Sequence, residues 1–164
     1  MSLPQVVVLL VVVQRLAELV IARRNTVRLL AAGGHEVGAA HYPLFVLLHG
    51  TWLAALLLFV PADAPVSWPL LGLFVFLQLG RIWVIVSLAG RWTTRIIICP
   101  DQPLSRRGPY RYLHHPNYVI VAGEIAVLPL AFGAWQIALA FSALNLVLLA
   151  WRIRVEDRAL GPLR

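Results

Sequence analysis

The sequence predicts an all-α polytopic membrane protein with about five transmembrane helices, its N-terminus outside and its C-terminus in the cytoplasm. Apolar residues make up 60% of the 164 residues and charged residues 13%, and the mean hydropathy is +0.81. These values lie far outside the range of soluble domains. Because the apolar stretches leave little chain for a soluble domain, residues 1–164 are treated as a single membrane domain.

Five apolar stretches come close to the 20 or so residues that a transmembrane helix needs: 3–22, 43–60, 68–88, 116–132 and 134–151. Four tryptophans stand at span boundaries, as amphipathic rings do at the depth of the lipid headgroups: Trp68, Trp92, Trp135 and Trp151. The connection around Gly133 is so short that it predicts a tight hairpin. Spans four and five are therefore expected to be antiparallel neighbours whose cytoplasmic ends meet.

The arginines predict the orientation. All fourteen basic residues are arginine, and none lies between spans two and three or between spans four and five. Twelve lie outside the spans: Arg23, Arg24, Arg28, Arg91, Arg95, Arg106, Arg107, Arg111, Arg152, Arg154, Arg158 and Arg164. The positive-inside rule then puts the N-terminus outside.

The net charge of +7 is expected to attract membrane lipids with anionic headgroups, since no nucleic-acid-binding motif accompanies the arginines. Nucleic acid is thus not an expected partner. A single Cys99 and five scattered histidines give no zinc-ligand spacing, and we expect no metal site.

The long cytoplasmic connection, residues 89–115, holds most of the polar side chains, and a site is expected there. The β-branched stretch 93–98 within it predicts a short strand or an interfacial segment. Residues 152–160, at the end of span five, are expected to complete the site.

The first motif, GPYRYLHHPNY at residues 108–118, lies where this loop enters span four. Pro116 suits the first turn of a helix, so the free amides of that helix start are directed toward the loop and can bind a carboxylate. The plainer alternative is a helix start with interfacial aromatics.

The second motif pairs Arg152 with Glu156, four residues apart on one helix face. An exposed helical ion pair worth roughly 0.3–0.5 kcal/mol is the plainer alternative. The predicted hairpin brings this pair beside Pro116 and favours a shared polar cluster.

Together, GPYRYLHHPNY, an apolar hairpin and RIRVEDRAL resemble the C-terminal half of the isoprenylcysteine carboxyl methyltransferase family and of its small bacterial members, similar to the alkylpyrone or alkylresorcinol O-methyltransferase type. The resemblance covers residues 89–160. It implies S-adenosyl-L-methionine as the cofactor, bound by the loop and its two flanking helices.

The resemblance also implies roles for particular residues. Arg152 and Glu156 are the implied catalytic residues, Arg152 holding the substrate and Glu156 also contacting the cofactor. The other implied cofactor-binding residues are Gln102, Pro103, Leu104, Ser105, Tyr110, His115, Pro116, Asn117 and Tyr118. One departure is His114, where the family usually has arginine, so a contact made by that arginine is expected to be missing or altered.

Ionisable residues inside the spans are functional candidates by default. Arg15 and Glu18 are three residues apart on span one and are expected to pair. Glu124, about two turns inside span four, is expected either to pair with Arg81 or to orient Arg152 and so support substrate binding. The roles of Arg15, Glu18 and Arg81 beyond such pairing stay open.

These observations favour an S-adenosylmethionine-dependent O-methyltransferase in a bacterial inner membrane, with its active site in the cytoplasm. The expected acceptor is a carboxylate or acidic hydroxyl on a prenylated or long-chain alkyl substrate, and an acceptor that is already ionised would need no general base. Two alternatives stay open: an NADPH-dependent sterol-type reductase, which carries a similar His-Pro-Asn-Tyr segment, and a non-enzymatic scaffold or transporter subunit. No helix face argues for a particular oligomeric state.

Overall fold

The computed structural model describes residues 1–99, 103 and 105–161. Within them, helices dominate: α1 (Leu3–Ala31), α2 (Tyr42–Phe59), α3 (Trp68–Leu88), α4 (Pro116–Ala131) and α5 (Trp135–Leu160). Single-turn 3₁₀ helices cover Ala39–His41, Ala89–Arg91 and Gly108–Arg111, and two short strands are β1 (His35–Val37) and β2 (Ile96–Ile98). The all-α class and the five helices are confirmed.

Helix starts and stops follow local chemistry. Four of the five helices, all except α5, carry a proline in their first turn, where its missing N–H costs nothing. The α1 helix runs nine residues past the predicted span end at 22 because nothing interrupts it before Gly33, which takes a positive φ of 87°. Its last turns therefore carry Arg23, Arg24 and Arg28 beyond the apolar stretch.

Four helical segments among the described residues are long and apolar enough to cross a membrane: Leu3–Ala31, Ala39–Phe59, Trp68–Arg91 and Trp135–Leu160. The fifth, α4, has 16 residues and is about 24 Å long, shorter than a hydrocarbon core of about 30 Å. It packs between α3 and α5. Large apolar side chains such as Leu58, Phe76 and Val147 are mostly exposed on the helix surfaces, as expected where lipid is the solvent. The chain is an integral membrane protein.

The main core lies between the helices, where Trp52 and Leu56 of α2 pack with Ile125 and Leu128 of α4. A smaller cluster of Ala22, Val84, Trp92 and Ile120 lies nearer the long loop. It anchors the loop to the ends of α1 and α3.

The two strands pair antiparallel, with His35 opposite Ile98 and Val37 opposite Ile96. This confirms the strand prediction for residues 93–98 in its second half. The pairing fastens the connection between α1 and α2 to the long loop, so the N-terminal half of the chain reaches the predicted site.

Candidate active site

The loop, the start of α4 and the end of α5 meet at one end of the bundle. A tight turn joins α4 to α5, with Gly133 at a φ of 70° and the Ala134 amide donating to the Pro129 carbonyl. The predicted hairpin is confirmed, and it sets the two motifs side by side.

A cavity of about 1020 Å³ opens at this end, a size typical of small-molecule sites. It is lined by eight of the residues predicted from the sequence: Pro103, Ser105, Tyr110, His115, Asn117, Tyr118, Arg152 and Glu156. Pro116 is buried and begins α4. Gln102 and Leu104 lie outside the described residues.

Arg152 is buried, with 7% of its surface exposed, and several contacts hold its side chain in place. Its Nε donates to the Tyr118 hydroxyl at 2.8 Å and its Nη2 to the Thr94 carbonyl at 2.8 Å. Its guanidinium carbon lies 5.2 Å from the centre of the Phe45 ring and 5.6 Å from that of Tyr118, within range of cation–π attraction. No hydrogen bond among the described residues uses Nη1, so that nitrogen is free to meet a ligand.

Tyr118 joins the two predicted catalytic residues. Its hydroxyl accepts from Arg152 and donates to Oε2 of Glu156. The Tyr118 hydroxyl therefore bridges Arg152 and Glu156 on the cavity wall. The alternative of an exposed helical ion pair is wrong.

His115 contributes a second link between the helices. Its Nε2 lies 3.0 Å from Oδ1 of Asp157, and its Nδ1 lies 3.7 Å from Oε2 of Glu156. Its ring stacks on that of Tyr118, with the centroids 5.2 Å apart and the planes at 16°. The ring orientation is thus fixed by both α4 and α5.

Tyr110 and Asn117 complete the wall near Glu156. Burial raises the pKa of the Tyr110 hydroxyl, and the negative charge of Glu156 raises it further, so Tyr110 stays neutral at physiological pH. The Oδ1 atom of Asn117 is buried without a hydrogen-bond partner among the described residues. A buried carbonyl of this kind lacks the donor that such groups normally have. His114 is exposed at the cavity edge.

Three residues that contact the predicted site residues were not predicted from the sequence: Asp157, Thr94 and Phe45. Asp157 follows Glu156 directly, and the hairpin indicates that it lies near the start of α4 but not which residue it contacts. Thr94 acts through its backbone carbonyl, which no side-chain pattern reveals. Phe45 is one of many large apolar residues in its span, so nothing in the sequence distinguishes it.

The structure does not bring Glu124 to Arg152. Glu124 Oε2 lies 2.6 Å from Nη2 of Arg15 and 3.2 Å from Nη1 of Arg81, inside the bundle. The predicted Arg81 pairing is confirmed, and so is the pairing of Arg15 with Glu18 at 2.8 Å. The expectation that Glu124 orients Arg152 is wrong, because Arg152 is bound by Tyr118 and Thr94. Its predicted contact with substrate therefore has no support from its position.

The fold and site define a small polytopic membrane protein with a polar cavity at one end of its helix bundle. The sequence model of the isoprenylcysteine carboxyl methyltransferase (ICMT) family matches residues 70–162. The chain belongs to this family, and that membership indicates a membrane methyltransferase.

Two relatives extend the comparison. The uncharacterized protein YpbQ of Bacillus subtilis (strain 168) is 36% identical over 155 residues, which cover 92% of each chain. An uncharacterized protein of Haemophilus influenzae is 32% identical over 94 residues, 57% of this chain and 55% of its own. No solved structure matches the chain.

Proposed function

We propose that the protein is an S-adenosylmethionine-dependent O-methyltransferase that acts on a carboxylate or acidic hydroxyl of a lipophilic substrate at the cytoplasmic face of the membrane. One observation carries the proposal. In a chain of the ICMT family, a single cavity unites the His115 to Tyr118 helix start with Arg152 and Glu156.

The residues present fit the cofactor. The cavity of about 1020 Å³ has room for both an adenosyl compound and the head of an acceptor. Asn117 offers a buried acceptor atom that lacks a donor, and the Glu156 carboxylate, 21% exposed, is available to a cationic group. Bound S-adenosylmethionine supplies an activated methyl group on its sulfonium. We assign Tyr110, His115, Asn117 and Glu156 to holding it, with Pro103 and Ser105 on the facing loop.

Arg152 is suited to hold the acceptor. Its free Nη1 can donate a charge-assisted hydrogen bond to an anionic oxygen, and its other nitrogens are already fixed, so little side-chain entropy is lost on binding. Because methyl transfer needs alignment of the acceptor oxygen with the methyl carbon, a rigid cation contributes chiefly orientation. An acceptor tail that stays in lipid gains about 0.8 kcal/mol for each buried CH₂.

Calorimetric titration of the detergent-purified protein tests the proposal with three ligands: S-adenosylmethionine, S-adenosylhomocysteine and NADPH. We expect both adenosyl compounds to bind and NADPH not to bind. Binding of NADPH alone would establish the reductase alternative, and binding of none would favour a non-enzymatic scaffold.

A further inference from the structure

A second, smaller cavity adjoins the first, between the end of α3 and the long loop. Its volume is about 420 Å³, and arginine is the commonest residue in its described lining. Arg91 ends the 3₁₀ turn that follows α3, whereas Arg106 and Arg107 belong to the loop. Ser87 and Ser105 add two hydroxyls, and the described lining contains no acidic residue. The cavity is therefore basic and rich in hydrogen-bond donors.

The three arginines have donors that the protein does not use. Arg91 donates one hydrogen bond, from Nη2 to the Pro103 carbonyl at 2.8 Å. Among the described residues, no hydrogen bond or ion pair uses the guanidinium of Arg106 or Arg107. The negative end of the α3 dipole is worth about half an elementary charge, so it offsets only part of three positive charges. The cavity therefore keeps a positive charge that is available to a ligand.

Gly108 holds the loop arginines close to α3. Its φ is 55°, in the left-handed region, and a Cβ atom at this position would collide with Ser87 Oγ and lie 3.0 Å from Trp83 Nε1. Only glycine permits so close an approach between the loop and the helix. Arg107 directly precedes Gly108, so the backbone fixes its position beside the last turn of α3.

An exposed apolar stripe on α3 leads to this cavity. Its four side chains recur at the spacing of one helix face, and each is between 51% and 68% exposed: Leu79, Ile82, Trp83 and Val86. Val86 ends the stripe and also lines the cavity. Trp83 lies beside Gly108, and tryptophan is typical of headgroup depth. The stripe and the cavity thus combine a surface for an acyl chain with a polar pocket at its end.

Phosphate is the group that suits this pocket. Guanidinium groups bind phosphate oxygens through charge-assisted hydrogen bonds that are often paired, and serine hydroxyls can donate to further oxygens. A glycerophospholipid presents its phosphate at headgroup depth, directly above its acyl chains. A headgroup with a net negative charge matches the free arginines, whereas a zwitterionic headgroup would bring its own ammonium close to them. The geometry therefore favours an anionic lipid.

We propose that Ser87, Arg91, Arg106 and Arg107 form a binding site for the phosphate of an anionic glycerophospholipid, with an acyl chain along the exposed stripe of α3. The site does not depend on the proposed methyltransferase function. Arg91 and Arg106 line both cavities. A bound lipid therefore also holds one wall of the larger cavity at the membrane surface.

The test compares one variant with a control that loses the same charge. Arg107→Gln changes an arginine that lines the smaller cavity and not the larger one. Arg24→Gln changes an exposed arginine in the last turns of α1, which lines neither cavity. Each protein, purified in a neutral detergent, is titrated calorimetrically with dioctanoyl phosphatidylglycerol, dioctanoyl phosphatidylcholine and inorganic phosphate. Thermal unfolding confirms that each variant is folded.

We expect the wild type to bind one phosphatidylglycerol per chain, about tenfold more tightly than phosphatidylcholine, because the arginines favour a net negative headgroup. Arg107→Gln should weaken the binding of phosphatidylglycerol about tenfold, as is usual when a hydrogen bond to a charged group is lost. Arg24→Gln should match the wild type. Inorganic phosphate should bind more weakly than phosphatidylglycerol, since it gains nothing from the apolar stripe.

Four results would overturn the site. Equal losses in the two variants would show that the lipid responds only to the overall charge of the protein. Equal binding of the two lipids would remove the role of the free arginines, and equally tight binding of inorganic phosphate would identify a soluble phosphate as the ligand. Absence of phosphatidylglycerol binding to the folded wild type would leave no lipid site. None of these results bears on the binding of S-adenosylmethionine, which tests the methyltransferase function separately.

Discussion

Arg152 illustrates how the fold fixes one residue of the candidate site. The protein has already removed most of its hydration and holds it by Tyr118, Thr94 and the Phe45 ring. A buried cation in this state attracts an anionic oxygen more strongly than a hydrated one does, because solvent no longer screens it. Its contribution should therefore appear in acceptor turnover and not in cofactor affinity.

Arg152→Ala is expected to leave calorimetric binding of S-adenosylhomocysteine within a factor of about two and to lower methyl transfer at least about a hundredfold, as is usual when one preorganised donor is lost. Arg154→Ala, which changes an exposed arginine half a turn away, is the control and should retain activity. A comparable loss of cofactor affinity in Arg152→Ala would contradict the division of roles.

Glu156→Ala should have the opposite profile. Its carboxylate is available to the cavity. Among the described cavity-lining residues, Glu156 is the one acidic residue, so the substitution removes the negative charge of the lining. We expect the dissociation constant of S-adenosylhomocysteine to rise about tenfold or more, in line with about 1.5–3 kcal/mol for a hydrogen bond to a charged group. Unchanged affinity would show that the cofactor does not contact Glu156.

Tyr110 predicts a pH effect on stability. Because burial and Glu156 raise its pKa, the folded protein favours the neutral phenol more than the unfolded chain does. Its contribution is fully present below the unfolded value of about 10 and is lost as the pH rises above it. The Tyr110→Phe variant should therefore lose less thermal stability than wild type between about pH 9.5 and about pH 11.5. Parallel melting curves of the two proteins would contradict this.

At the scale of helices, a buried charge network fastens α1 to α3 and α4. Arg81 donates two hydrogen bonds of 2.7 Å to Glu18, and Arg15 forms ion pairs with both Glu18 and Glu124. Gln78 donates to Glu124 at 2.8 Å. Two arginines offset two glutamates, so the network carries no net charge inside the membrane bundle.

Breaking this network should be costly, because a lone charge is left buried. Glu18→Gln is expected to destabilise the protein by about 3–5 kcal/mol, the usual cost of removing one partner of a buried pair. Its matched control is Glu36→Gln. The partner of Glu36 is Arg95, whose side chain is 37% exposed, so this substitution should lower the stability by at most about 1 kcal/mol. Thermal unfolding in detergent measures both, and equal losses would show that the network is not specially stabilising.

The helices and the two motifs could be predicted because apolar length, proline starts and four-residue spacing are local properties of the sequence. The pairing of Arg15 with Glu18 followed from a spacing of three residues, which also places two side chains on one helix face. The bridge through Tyr118 and the partnership of His115 with Asp157 could not be predicted, since they depend on the rotation of α5 against α4. The choice between Arg81 and Arg152 as the partner of Glu124 stayed open for the same reason, because spacing within α4 does not report which helix Glu124 faces. The structure shows Arg81, together with Arg15 of α1, which was not predicted as a partner of Glu124.

At the scale of the whole molecule, the site depends on chain outside the family-matched residues 70–162. From α1, Asn25 donates to the carbonyls of Ala89 and Trp92, which fixes the start of the long loop. Strand β1 pairs with the loop's own strand, and Phe45 of α2 lies against Arg152. The N-terminal helices therefore contribute contacts to the candidate site in addition to their membrane-spanning length.

The orientation of the whole molecule is the remaining prediction. The cavity and the arginine-rich segments share one end of the bundle, and the short connections without arginine lie at the other. The positive-inside rule puts the cavity in the cytoplasm, where S-adenosylmethionine is available. With Cys99→Ser as the background, a membrane-impermeant maleimide applied to intact cells should label Asp63→Cys and should label Arg158→Cys only after the cells are lysed. The reverse pattern would place the cavity outside and rule out a cytoplasmic cofactor supply.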